Sequence, residues 1–154
     1  MPFSLRASKV LPLLAVLAGV LGSCSQTGEV ISPVPELTLV RAAPTTLSAF
    51  ADTLNITLRY RDGDGDLGQA SPDSLSLFLR DLRLNLTIGY RIPQLAPTGA
   101  RVAIEGLLTV PITRIPLADS TQASETLTYE IWCRDRAGNE SNRLTTPPLT
   151  LTRN

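Results

Sequence analysis

Three aspartates alternate with glycines in Asp62-Gly63-Asp64-Gly65-Asp66-Leu67-Gly68, and a fourth, Asp73, stands a little further on. Carboxylates at alternate positions, on a backbone that glycine allows to curl, can converge on one point and offer hard oxygen ligands to a cation, with calcium the best match. A site of this kind in an extracellular module binds with a dissociation constant on the order of 10⁻⁴ to 10⁻³ M. Asp135 and Asn139 would join the ligand set if the segment that carries them lies at the same end of the fold. The competing reading is a solvated turn in which Arg59, Arg61 or Arg80 neutralises the aspartates, because crowded carboxylates need some positive charge among them. Both readings stay open at this level, and nothing else in the sequence supports a catalytic use of the aspartates.

The rest of the inventory narrows the chemistry. The chain has no histidine, which removes Ser/His/Asp catalysis and the most frequent proton-transfer group near neutral pH. Cys133 falls on the apolar side of an alternating stretch, where a small buried residue is the expected role; a reactive thiol would need a base and an electropositive setting. Trp132 falls on the opposite side, either exposed, where with Tyr60 or Tyr90 it would suit stacking on sugar rings, or covered by a neighbouring loop. Glu105 and Glu130 are expected as surface strand residues rather than a hydrolytic pair. Acidic and basic residues balance at 14 each, and without Arg6 and Lys9 the remainder carries 12 arginines against 14 acids. A nearly neutral domain gives no electrostatic reason to expect nucleic acid as a partner.

The elements that must position these residues are strands. Leu54, Ile56, Leu58 and Tyr60 alternate with Asn55, Thr57, Arg59 and Arg61; Leu84, Leu86, Ile88 and Tyr90 repeat the pattern, as do Leu127, Tyr129, Ile131 and Cys133. Shorter versions occur over 37–40, 75–79, 102–110 and 149–151. A period of two marks strands with one buried face. About seven of them, separated by Pro, Gly, Asn and Asp turns, predict an all-β chain folded as an antiparallel immunoglobulin-like or fibronectin-like β-sandwich over 36–154.

Two motifs carry resemblances within that domain. Asp62 to Asp73 resembles the calcium loop of EF-hand and dockerin-like sites, with departures: Leu67 stands where the loop's glycine belongs, Asp73 replaces a glutamate, and the flanks read as strands. The resemblance carries the ligand role to Asp62, Asp64 and Asp66, holds Asp73 as a weaker fourth, and does not carry the EF-hand fold. Tyr129 to Asn142, with Asp135-Arg136-Ala137-Gly138-Asn139-Glu140-Ser141 at its centre, is similar to the closing hairpin of bacterial Ig-like domains. Gly138 and Asn139 suit a turn requiring positive φ, and Asp135 is placed to accept hydrogen bonds from the turn amides.

The amino-terminal segment supplies an address. Arg6 and Lys9 precede an apolar run from Val10 to Leu21 that is too short to span a bilayer, and small residues come after it, which is the order of a secretory signal. Leu21-Gly22-Ser23-Cys24 resembles the lipobox of bacterial lipoproteins. That resemblance implies a signal peptide over 1–23, cleavage before Cys24, a membrane anchor of lipids on that cysteine, and an outer-membrane location, since Ser25 rather than aspartate comes next. Residues 24–35 are expected to act as a tether. The sequence thus predicts a non-enzymatic binding or structural module of the cell envelope, with an unspecified protein or glycan partner. The alternative is a carbohydrate-binding accessory lipoprotein of a polysaccharide uptake system; a hydrolase comes third.

Overall fold

In the computed structural model, which describes residues 30–154, the alternating stretches fold as strands and no helix is present among those residues. The expected signal peptide over 1–23 and the expected anchor at Cys24 lie outside the described residues. Ten strands occur in order: β1 (Glu36–Ala43), β2 (Thr46–Ser48), β3 (Leu54–Asp62), β4 (Leu77–Asp81), β5 (Leu86–Tyr90), β6 (Ile104–Ile112), β7 (Ser124–Leu127), β8 (Tyr129–Cys133), β9 (Leu144–Thr145) and β10 (Leu149–Thr152). They form three sheets, ordered β1-β3-β6, β2-β10-β7 and β5-β4-β8-β9, with every pairing antiparallel except β2 with β10. The architecture is the expected all-β, sandwich-like one.

The strand count exceeds seven because of local chemistry. The apolar stretch ending at Cys133 changes partners at Thr128: β7 pairs with β10, whereas β8 pairs with β4 and β9. On the returning chain, Thr146-Pro147-Pro148 separates β9 from β10, and proline has no N–H to give a ladder. Thr146 repairs the break, its amide donating to the Tyr129 carbonyl (2.9 Å) and its Oγ1 accepting from the Tyr129 amide (3.0 Å).

Alternation works as predicted in the central strands. Leu54, Ile56, Leu58 and Tyr60 of β3 join Tyr129, Ile131 and Cys133 of β8 in a single buried cluster that also takes Leu77, Leu79, Leu127, Leu149 and Leu151. Burying each of these side chains stabilises the fold by roughly 1.5–3 kcal/mol before entropic costs. In β5 the expectation fails: Leu86 is 54% exposed and Ile88 38%, with Leu84 exposed in the preceding turn. The strand is at the edge of its sheet, bonded to β4 alone among the described residues, and the side carrying Leu86 and Ile88 is left largely uncovered there.

The segment expected as a tether is tied down at its end. Gly63, directly after β3, donates its amide to the Ser32 carbonyl at 2.8 Å, and Pro35 is buried. The approach is close enough that a Cβ on Gly63 would lie 2.2 Å from the Ile31 carbonyl oxygen. Only glycine fits there, and the start of the acidic loop is therefore held against residues 31 and 32.

Candidate metal centre in the acidic loop

β3 runs without interruption into the acidic loop, and the inward period of the strand places the loop's first aspartate. Leu54, Ile56, Leu58 and Tyr60 point to the core, so the next position on that face is Asp62, which is fully buried at the strand's end. Its Oδ2 accepts the Leu67 amide at 2.7 Å, closing the loop over itself, and the Leu67 side chain joins the core. This explains why leucine stands where an EF-hand loop has glycine: in this chain the position is a core anchor. Asp64 and Asp66 are half-buried, and one carboxylate oxygen from each of Asp62, Asp64 and Asp66 falls within 4.8 Å of the other two.

The three groups share a further feature. Asp62 Oδ1, Asp64 Oδ1 and Asp66 Oδ1 are all shielded from solvent and accept no hydrogen bond from an N–H or hydroxyl donor among the described residues, although Asp62 and Asp64 lie close enough to share a proton. Buried carboxylate oxygens without partners are costly, and their charges add to the cost. Burial raises the pKa of Asp62 above its ordinary value, with the charges of Asp64 and Asp66 adding to the effect and the Leu67 amide opposing it. Asp66 is raised too, first by burial and then by the charges of Asp135 and Asp64, against the Ala137 amide and Arg136.

The closing hairpin lies against this loop, as the ligand idea for Asp135 and Asn139 required. Asp66 Oδ2 accepts the Ala137 amide (3.0 Å), the Asp66 carbonyl accepts the Arg136 amide (3.3 Å), and the Arg136 guanidinium donates to the carbonyls of Gly68 (3.0 Å) and Gly65 (3.3 Å). Asp135 and Asn139, however, are occupied with each other: the Asn139 amide donates to Asp135 Oδ1 (2.7 Å) and its Nδ2 to Oδ2 (2.8 Å), locking a turn in which Gly138 takes φ 94°. Asp135 thus acts on the cluster through its charge. Asp73 is exposed in a turn after Ser71 and is not among the carboxylates that converge.

Of the arginines weighed as neutralising partners, Arg80 pairs with Glu130 at 2.8 Å, and Arg61 lies 3.7 Å from Glu105. Arg136 touches the loop, through backbone carbonyls rather than carboxylates. Its position on the hairpin, more than sixty residues along the chain, left no local signal in the sequence.

Trp132 is 9% exposed, stacked on Phe78 with ring centroids 5.5 Å apart and roofed by the Arg143 guanidinium at 4.1 Å. Of the two placements open to it, exposed or covered, the structure takes the covered one, and its ring faces are already occupied. Cys133 is free and buried, and burial pushes its thiol up to about 11. Arg83 bridges Asp81 (2.6 Å) and Glu125 in a shielded ion-pair network apart from the loop.

No family model matches the chain, and no curated protein matches it. Among solved structures, a mutant of the SrpA adhesin from Streptococcus sanguinis aligns with 79% of this chain at 16% identity and a TM-score of 0.34, and the chain spans 57% of that protein's length.

Proposed function

We propose that this chain is a calcium-stabilised, non-catalytic binding or structural module of the bacterial cell envelope, moored to the outer membrane through lipids on Cys24. The observation that carries the calcium reading is the set of three solvent-shielded Oδ1 atoms on Asp62, Asp64 and Asp66, which accept from no N–H or hydroxyl among the described residues, the first on a fully buried side chain. A divalent cation among them would supply the missing partner to each oxygen and remove the mutual repulsion at once. Calcium suits the donor set, which is all oxygen and mostly charged. Its role would be to stiffen the contact between the acidic loop and the closing hairpin, since Asp66 is both a ligand candidate and the acceptor of the Ala137 amide.

The non-catalytic reading rests on the chemistry left over. The chain lacks histidine, the Cys133 thiol is sealed in the core, and the aspartates face each other rather than an activated nucleophile. The envelope reading rests on Leu21-Gly22-Ser23-Cys24 after a short apolar run. Two or three acyl chains, at about 0.8 kcal/mol per buried CH₂, hold a protein stably where one does not.

Isothermal titration of the full-length protein, purified in chelator, tests the metal. One calcium per chain with a dissociation constant on the order of 10⁻⁴ to 10⁻³ M is the expected result; no heat and no change in melting at millimolar calcium would defeat it. Mass spectrometry of the protein from native membranes tests the anchor, which an intact leader or an unmodified Cys24 would refute.

A further inference from the structure

Among the described residues, five of the six sheet edges carry a feature that discourages further pairing. β1 has Glu36, Arg41 and a break in register, β6 has Glu105 and Pro111, and β7 has Glu125. β2 and β9 are only three and two residues long. Charge, proline, bulges and shortness are the means by which sheet proteins keep their edges from joining. β5 has none of them. Its five residues, Leu86-Thr87-Ile88-Gly89-Tyr90, include no charge and no proline, and Leu86 and Ile88 are 54% and 38% exposed. We propose that this edge is a self-association surface, on which β5 of a second copy pairs antiparallel about a two-fold axis through Ile88.

The ladder sets the register. On either side of β4, the Leu82 amide donates to the Thr128 carbonyl and the Ser76 carbonyl accepts the Arg134 amide, so the even-numbered backbone groups of that strand face β8. Leu77, Leu79 and Asp81 therefore turn to β5, opposite Tyr90, Ile88 and Leu86. Backbone groups alternate in direction along a strand, which leaves those of Thr87 and Gly89 pointing out of the open edge. With the axis at Ile88, Thr87 of each copy meets Gly89 of the other, and the two residue pairs exchange four N–H···O=C bonds. The same register sets Ile88 against Ile88 and Leu86 against Tyr90, in the positions between hydrogen-bonded pairs where side chains come closest. An axis one residue earlier, at Thr87, would set Tyr90 against Leu84, which lies outside the strand in the turn where Asn85 takes φ 52°.

A second copy is the occupant these residues specify. An uncharged strand meets no repulsion from its own duplicate, and each apolar side chain of β5 finds an apolar one opposite. Leu86, Ile88 and Tyr90 share the side of the sheet that carries Leu77 and Leu79, so the pairing continues an apolar face already present. On the other side, Leu75 is 52% exposed and lies over Gly89, its Cδ1 2.5 Å from where a Cβ would be. In the pair it comes beside Thr87 of the second copy. The assembly is closed, because each copy uses the one edge that is open in this way, and it stops at two. A contact built on a five-residue strand buries less than the roughly 800 Å² per partner of a stable interface, so the dimer is weak, with a dissociation constant on the order of 10⁻⁵ to 10⁻⁴ M.

Sedimentation equilibrium of the full-length chain in mild detergent, from about 1 µM to about 1 mM, tests the association. A monomer–dimer equilibrium is expected, and Ile88→Lys, which sets two ammonium groups against each other on the axis, should weaken it at least about tenfold. Oxidative crosslinking tests the register without relying on that variant. Ile88→Cys meets itself across the axis and should form a disulfide-linked dimer at least about tenfold faster than Leu86→Cys, which is just as exposed but faces Tyr90; Cys24 is present in both and cancels from the comparison. A chain that stays monomeric to about 1 mM, association that Ile88→Lys leaves unchanged, or Leu86→Cys crosslinking as fast as Ile88→Cys would each overturn the proposal.

Discussion

Replacing Asp62 with asparagine should make the metal-free protein more stable and the calcium-loaded protein less so, an inversion that only a metal site explains. The side chain is fully buried, and its ligand oxygen lies within 4.8 Å of those on Asp64 and Asp66. Two unit charges at that distance repel by about 3.5 kcal/mol at an effective dielectric constant of about 20, and by about 0.9 kcal/mol in water. Protonation relieves part of this, as the raised pKa of Asp62 already implies, so the net gain from Asp62→Asn in chelator is on the order of 1–2 kcal/mol. Asparagine is close in volume, can still accept the Leu67 amide, and can donate its amide hydrogens to the free oxygens of its neighbours. In calcium the balance reverses. At 10 mM calcium, a site with a dissociation constant of about 10⁻⁴ to 10⁻³ M stabilises the native state by about 1.4–2.7 kcal/mol. For a domain of this size that is a rise in Tm of roughly 5–12 °C, which the variant should lose. Thermal unfolding measured by circular dichroism, for both proteins in chelator and in calcium, yields all four values. An Asp62→Asn protein that melts below wild type in chelator and keeps the calcium shift would refute the reasoning.

The same groups fix the pH response. The folded-state pKa values of Asp62 and Asp66 lie above the ordinary 3.8, so their contribution to stability is fully present below that pH and is lost as pH rises through the raised values. In chelator, wild type minus Asp62→Asn should therefore become less favourable from about pH 4 to neutrality, whereas in calcium the trend reverses because protons compete with the metal; a flat difference in urea titrations would contradict this. Gly63→Ala should cost at least about 2 kcal/mol, because the carbonyl oxygen 2.2 Å from the new Cβ belongs to the backbone and cannot step aside. Denaturant unfolding measures it, and a loss under about 0.5 kcal/mol would show that residues 31 and 32 are not held as described. Cys133, with its thiol pushed up to about 11, should resist a disulfide reagent at pH 8 until the protein unfolds, and immediate reaction of the native protein would show that the core is open there.

The part of the molecule legible in the sequence was the part governed by local rules. Alternation marked the strands β1, β3, β8 and β10, and the hairpin resemblance placed Asp135 as an acceptor for the turn amides, of which that of Asn139 is the one it takes with its side chain. Alternation misled at β5, because a period of two says that one face is apolar but not how far that face is covered; Leu86 and Ile88 are left largely uncovered. Trp132 could not be assigned from its own strand, since its cover comes from Phe78 on β4 and from Arg143 after the hairpin. In the acidic loop, counting positions picked out Asp62, Asp64 and Asp66, whose convergence depends only on a short curled backbone. It carried less at Asp73, where the chain has already turned away before reaching β4. Arg136 was invisible as a neighbour of that loop, because it arrives from the closing hairpin.

The glycine-rich stretch after β3 thus joins the start of the described chain, at Ser32, to the closing hairpin, at Ala137. An ion at its centre would stiffen the end of the sandwich at which the proposed membrane tether arrives. Anomalous diffraction from crystals of this protein grown in millimolar calcium tests the ion directly. One calcium peak bounded by Oδ1 of Asp62, Asp64 and Asp66 is the expected result; the same three oxygens found protonated or hydrogen-bonded to water or arginine, with no anomalous signal among them, would rule the site out.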